Sequence, residues 1–259
     1  MIPKIIHYCW FGGNEKPKLF KKCYKSWKKY CPDYEIIEWN ESNFDLNCCD
    51  YVREAYEAKK WAFVSDYVRV WALHNYGGIY LDTDVEVTKK LDEFLSFTAF
   101  TGFESADYPF TAVFGCEKGC GLTQKILDSY FGRKFKLNDN KYDLLTNTEF
   151  VSNIFIDEYK VNLNNETQFF DDGLAIFSSD YFCPKNCIDF SLNITKNTHA
   201  IHWFDASWHT KEEKKAHRKA IKRIKRLENI DRVRHLPNYV ISTVLGESRY
   251  NRFKNLFRR

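Results

Sequence analysis

Apolar positions along the chain follow two periods. Residues 2 to 10, IPKIIHYCW, are a short run closed by the glycine turn FGG and predict a first strand. In PKLFKKCYKSWKKYCP the spacing changes. Leu19, Phe20, Cys23, Tyr24, Trp27 and Tyr30 recur every three or four residues, which predicts an amphipathic helix ended by Pro32. YEIIEW reads as a second strand. Strand, helix, strand is how an α/β sheet opens.

From about Val52 to Tyr76 the pattern is helical again, and Gly77 and Gly78 stop it. Ile79 to Leu81 is an apolar strand, FTAFTGFE and FTAVFGCE predict two more, and Gly121 to Phe131 predicts a helix. Residues 138 to 168 are polar and carry no assignable period. GLAIFSSDYFCP and THAIHWFDASW read as the last strand-rich segments. Thr210 with Glu213 then makes a capping box at the start of a basic helix, KEEKKAHRKAIKRIKRLENI. Neither a repeat nor a Gly/Ser/Pro linker divides residues 1 to 210. The expected organisation is a body over 1–210 and a basic helical extension over 211–259.

Charge sharpens that division. The net charge of +4 over 259 residues conceals 16 Lys and Arg against 5 Asp and Glu from Lys211 onward, which leaves 23 against 30 before it. An acidic body with a basic attachment meets different partners through its two parts. Ile221, Ile224 and Leu227 form a narrow apolar stripe among the basic residues, so the extension is expected on an anionic membrane surface. No stacking platform interleaves it, which argues against nucleic acid. The nine cysteines are odd in number and irregular in spacing. Free thiols in a reducing cytoplasm, at the inner face of the cell membrane, are expected. The pairs Cys116/Cys120 and Cys183/Cys187 lack an accompanying His pair, which argues against a zinc site. The N-terminus does not read as a secretory signal, and no run reaches the roughly 20 apolar residues of a membrane helix.

The candidate chemistry centres on NYGGIYLDTDVEV. At strand spacing Asp82 and Asp84 would point to one face and repel, unless a positive group sits beside them. A D-x-D also occurs in plain surface turns. After a buried run, however, it is the arrangement by which Mg²⁺ or Mn²⁺ takes one or two carboxylates and leaves positions for phosphates. Just upstream, SDYVRVW puts Asp66 and Arg69 three apart on one helix face, with Val64, Val68 and Trp71 available for the core. They form either a surface ion pair or a grip on the sugar and phosphate of a substrate.

The blocks IPKIIHYCWFGG, SDYVRVWALHNYGGIYLDTDVE and AIHWFDASW, in that order, resemble glycosyltransferase family 32. That family holds DXD sugar transferases of bacterial capsule and lipopolysaccharide synthesis and fungal mannosyltransferases, and is distantly similar to the glucosyltransferase domains of clostridial toxins. The resemblance implies a GT-A type, Rossmann-like nucleotide-sugar-binding fold with a mixed central sheet. It also implies retaining transfer from a nucleotide sugar, a UDP-sugar before GDP-mannose, to a glycan or lipid-linked acceptor. Trp10 would stack on the base, Asp66 and Arg69 would hold the donor sugar, and Tyr80 would lie near base or ribose. Asp82 would contact ribose and the metal's water shell, and Asp84 would bind Mn²⁺ or Mg²⁺ directly. Ser207 and Trp208 would close over the diphosphate, with His202 a further metal ligand. Trp203 stands where a second His is frequent, and DASW replaces GSW, so a core histidine is the other reading of His202. Core aromatics are likewise the other reading of Trp10, Tyr80 and Trp208.

Two rival readings follow from the same residues. IYLDTDVEV also fits a haloacid-dehalogenase-type phosphohydrolase, with Asp171 and Asp172 as the later acidic pair. That reading leaves Trp10, Asp66 and Arg69 unused. A non-catalytic nucleotide-sugar-binding module is the other.

Overall fold

The computed structural model describes residues 1–138, 141–187 and 189–205. Ser207, Trp208 and the basic extension lie outside the described residues. Strand β1 spans Ile5–Cys9, helix α1 Lys18–Tyr30, β2 Glu35–Trp39, α2 Asp50–Glu57, α3 Trp61–Tyr76, β3 Gly78–Leu81 and β4 Val85–Val87. After a 3-10 turn at Asp92–Phe94 come β5 (Ala99–Gly102), β6 (Val113–Cys116), α4 (Gly121–Asp128), α5 (Asn147–Tyr159), β7 (Gln168–Phe169), β8 (Leu174–Phe177), α6 (Ser179–Phe182) and β9 (Ala200–His202).

Seven strands form one mixed sheet in the order β2-β1-β3-β6-β5-β8-β7. β1 runs parallel to β2 and β3, and β5 parallel to β8, while β6 is antiparallel to β3 and β5. The mixed central sheet is as expected. β9, within the strand-rich segment expected there, pairs antiparallel with β4 in a separate two-stranded sheet, His202 opposite Val85. That pairing carries the last block of the sequence to the D-x-D.

Alternation along β3 divides the core. Tyr80 faces a cluster built from α2 to α5, with Val52, Val64, Val68, Leu122 and Phe155. Ile79 and Leu81 face the opposite cluster of Phe20, Trp27, Val85, Phe94 and Phe182. Helix α1 is tied to β4 as well as packed on it. Trp27 donates its indole N–H to the Val85 carbonyl at 2.8 Å, and Ser26 accepts from the Val87 N–H at 2.9 Å.

Three local expectations need correction. The single helix over Val52 to Tyr76 is two helices, broken where Lys59 takes φ 57° and its N–H returns to the Tyr56 carbonyl. The polar stretch 138–168 contains α5, whose N-cap Thr146 accepts from the Glu149 N–H. GLAIFSSDYFCP ends in the short helix α6 rather than in strand.

Gly78 begins β3 at φ 110°, and a Cβ there would lie 2.7 Å from the Ile5 carbonyl oxygen, so β1 and β3 meet through bare backbone. Beside them His7 is fully buried. Its Nδ1 accepts from the Trp39 indole at 3.1 Å, and its Nε2 lies 2.7 Å from the Gly77 carbonyl. The neutral Nε2–H tautomer satisfies both partners. Burial pushes its pKa down to about 4, with the Gly77 carbonyl pulling the other way. Because the unfolded chain takes up this proton near pH 6.5 and the folded chain only near 4, stability is full above that window and falls as pH drops through it. The whole gap is worth on the order of 3 kcal/mol. Urea midpoints between pH 7.5 and 4.5 should fall steeply for the wild-type chain and less steeply for His7→Gln.

Candidate functional site

The D-x-D is a turn rather than strand, because β3 ends at Leu81 and the Val85 N–H closes on the Asp82 carbonyl at 3.0 Å. The two carboxylates stay together, and each has its own cation. Arg69, from α3, places Nη2 3.2 Å from Asp82 Oδ1 and 2.9 Å from Asp66 Oδ1. His202, from β9, places Nε2 3.4 Å from Asp84 Oδ1. Asp84 also accepts the Asp205 N–H at 2.8 Å, and its own carbonyl accepts the Trp203 N–H at 3.0 Å.

Asp66 and Arg69 are both 7% exposed, so the surface-pair reading is wrong. Burial pushes the Asp66 carboxyl up, to about 7, while Arg69 pulls it down and Asp82 adds to the rise. Burial also acts to raise Asp84, but His202 and the Asp205 N–H outweigh it and hold it below the usual carboxylate range. His202 shows the complement. Burial disfavours its charge, yet Asp84 lifts its pKa well above the ordinary value.

Oxygen atoms of Asp82 and Asp84 and a ring nitrogen of His202 lie within 4.8 Å of one another, the one such potential metal-binding group among the described residues. Two carboxylates and an imidazole suit a divalent cation that accepts mixed oxygen and nitrogen ligands, and Mn²⁺ is one. All nine cysteines are free thiols.

The remaining expected residues are placed less directly. Tyr80 is 2% exposed, with its ring 4.6 Å beneath the Arg69 guanidinium. It is a core side chain that supports Arg69. Trp10 is half-buried against Phe20, and its indole N–H donates to the Asn14 carbonyl at 2.8 Å, so it shapes the loop after β1. That loop borders a cleft of about 580 Å³ lined by Gly12, Gly13, Asn14, Glu41, Tyr56, Lys59 and Trp61. Gly12, at φ 87°, lies so close to the Trp61 indole that a Cβ would come within 2.5 Å of it. Tyr56 packs on Trp61 with ring centroids 5.0 Å apart.

Sequence reasoning missed that aromatic pair, and it also missed Glu104 and Lys185. Glu104 Oε2 stands 3.7 Å from His202 Nδ1. Lys185 donates to the Trp203 carbonyl at 2.7 Å. Neither residue lies in a motif, and only the return of β9 to β4 brings them near the D-x-D. Asp172, by contrast, accepts from the Tyr159 hydroxyl in the β7–β8 turn at the far edge of the sheet. It offers the phosphohydrolase reading no second acidic pair.

Residues 17–101 match a family model described as a glycosyltransferase sugar-binding region containing a DXD motif. The match covers about a third of the chain, from the start of α1 to β5, and includes the D-x-D. It is 36% identical over 122 residues, 46% of this chain and 34% of the relative, to inositol phosphoceramide mannosyltransferase 3 of Schizosaccharomyces pombe. It is 27% identical over 201 residues, 73% of this chain and 80% of the relative, to the uncharacterized glycosyltransferase L373 of Acanthamoeba polyphaga mimivirus. The chain thus spans about a third of the yeast relative's length. Among solved structures, PaToxG glycosyltransferase aligns at 20% identity with a TM-score of 0.49, over 61% of this chain and 70% of that one.

Proposed function

We propose that this chain transfers a hexose from a nucleotide sugar to a glycan or lipid-linked acceptor, with a divalent cation at Asp82, Asp84 and His202. The observation that carries this reading is the arrangement of the D-x-D: Asp84 faces His202, Asp82 faces Arg69, and Arg69 is shared with the buried Asp66. A plain surface turn has no use for two buried cations drawn from elements far apart in sequence.

Bound there, a cation supplies charge neutralisation for a departing nucleoside diphosphate. Arg69 contributes a second, permanent positive charge held in place by Asp66, so little reorganisation is needed as charge develops. Asp66, further along α3 from Trp61, is the acceptor for a donor-sugar hydroxyl in this reading. In this reading the cleft with Tyr56 and Trp61, next to the loop that Trp10 shapes, receives the nucleobase. Ser207 and Trp208 remain the candidates for closing over the diphosphate. We assign retaining stereochemistry on the family resemblance alone.

The yeast relative is named as a mannosyltransferase acting on inositol phosphoceramide, which brings GDP-mannose level with the UDP-sugars as donor and favours a lipid acceptor. None of the described helices is long and apolar enough to cross a membrane. The basic character of residues 211–259 supports docking on an anionic membrane as the route to a lipid acceptor. Thermal-shift and calorimetric titration of UDP-glucose, UDP-galactose and GDP-mannose, each with and without Mn²⁺, tests the reading. One donor should stabilise the protein by several degrees only when Mn²⁺ is present. Stabilisation independent of metal, or by none of the three, would overturn it.

A further inference from the structure

Glu104 lies two residues past the end of β5, in a turn closed by its own N–H donating to the Tyr108 carbonyl at 2.9 Å. Its side chain nevertheless turns inward and is only 17% exposed. The fold does not require a carboxylate there, and the proposed donor and metal contacts do not use one.

His202 supplies the use. Its Nε2 faces Asp84, while Nδ1 is buried and has no hydrogen-bond partner among the described residues. A buried, unpaired N–H is costly, about 1–3 kcal/mol. An imidazole that ligates through Nε2 must be neutral and must carry its remaining proton on Nδ1. The ligating geometry therefore creates a buried N–H that needs an acceptor, and ligating histidines generally direct that N–H to a carboxylate or carbonyl.

Three groups face the ring besides Asp84. The Phe204 ring covers it at 4.0 Å between centroids and accepts nothing there. The Cys183 thiol, from the loop after α6, contacts the ring, but sulfur is a weak acceptor and the thiol is also directed to the Lys185 carbonyl at 3.8 Å. Glu104 presents an oxygen 3.7 Å from Nδ1, within about 1 Å of hydrogen-bond length. We propose that Glu104 is the positioning residue for His202: it accepts the Nδ1–H and so presents Nε2 to a divalent cation shared with Asp82 and Asp84. This rests on the metal-centred reading above, and the test separates the two.

The test is Mn²⁺ affinity of the full chain, measured by calorimetry or by the free-ion electron-spin resonance signal with no donor present. Glu104→Ala should weaken Mn²⁺ binding about 10- to 100-fold. Glu104→Gln keeps a carbonyl oxygen at the same reach, so it should restore affinity to within a few-fold of wild type. Cys183→Ala should leave affinity unchanged. If Glu104→Ala binds as tightly as wild type, or if Cys183→Ala alone weakens binding, the assignment is wrong. If Glu104→Gln is as weak as Glu104→Ala, charge rather than orientation is at work and the positioning role falls. A wild-type chain that binds no Mn²⁺ overturns the metal reading itself. Should Glu104→Ala fail to fold, long-range ¹H–¹⁵N spectra of the wild-type chain with Mg²⁺ decide the matter. They should show the His202 proton on Nδ1, shifted downfield by a hydrogen bond that Glu104→Gln weakens, and a proton on Nε2 would refute the proposal.

Discussion

Asp84→Asn should lower nucleotide-sugar turnover by about 10³-fold at saturating Mn²⁺, the scale expected when a preorganised charge is removed from a developing leaving group. The substitution isolates that charge. Asparagine keeps the shape and the carbonyl that accepts the Asp205 N–H, so the turn and the β4–β9 pairing should persist. The loss falls on the site, since Asp84 is the carboxylate facing His202, and the amide binds a cation weakly. His202 can shed its proton once its anion is gone, so no buried charge is stranded. The melting temperature of the metal-free variant should accordingly stay within a few degrees of wild type. Turnover within tenfold of wild type with Mn²⁺ binding intact would remove Asp84 from the metal site.

How far the site was readable depends on how local each contact is. Asp66 and Arg69 lie three apart on one helix, and Asp82 and Asp84 two apart beyond its glycine stop, so spacing alone brought the four together. What spacing could not supply was burial. Only the packing of α3 against β3 and the helices around it shows that the Asp66–Arg69 pair is interior. The D-x-D was expected in a strand because the apolar run before it is one. The i-to-i+3 closure of Val85 on Asp82 instead ends the strand at Leu81, and the aspartates share a site through the turn. The break between α2 and α3 was hidden because apolar residues continue in helical period across it, and a left-handed Lys59 has no sequence signature comparable to glycine. α5 was overlooked although Thr146 and Glu149 carry the same capping pattern that was recognised at Thr210. Glu104 and Lys185 were out of reach, because their contacts with His202 and the Trp203 carbonyl depend on a strand returning from more than a hundred residues away.

Arg69→Met should be the most destabilising single change at the site, by about 3–5 kcal/mol, the cost of leaving a buried charge without its partner. Arg69 neutralises Asp66 and Asp82 together, at 2.9 and 3.2 Å, and rests on the ring of Tyr80. Without it Asp66 stays buried beside a second carboxylate, and both burial and Asp82 drive it toward the protonated form. The sign of the pH dependence follows. A carboxyl whose folded pKa exceeds its unfolded value binds more protons when folded, so the variant gains stability relative to wild type as pH falls. Urea midpoints should therefore show a deficit that narrows as pH falls toward about 7 and changes little below it, where the wild-type Asp66, itself raised to about 7, gains protons in step. Arg69→Lys should recover only part of the loss, because a point charge cannot fork between two carboxylates as a guanidinium does. Asp66→Asn placed on Arg69→Met should restore much of the stability, since it removes the stranded charge. It should restore none of the turnover if Arg69 serves as proposed, because the permanent positive charge beside the proposed diphosphate position would still be missing. A double variant that regained activity along with stability would show that Arg69 serves the fold alone.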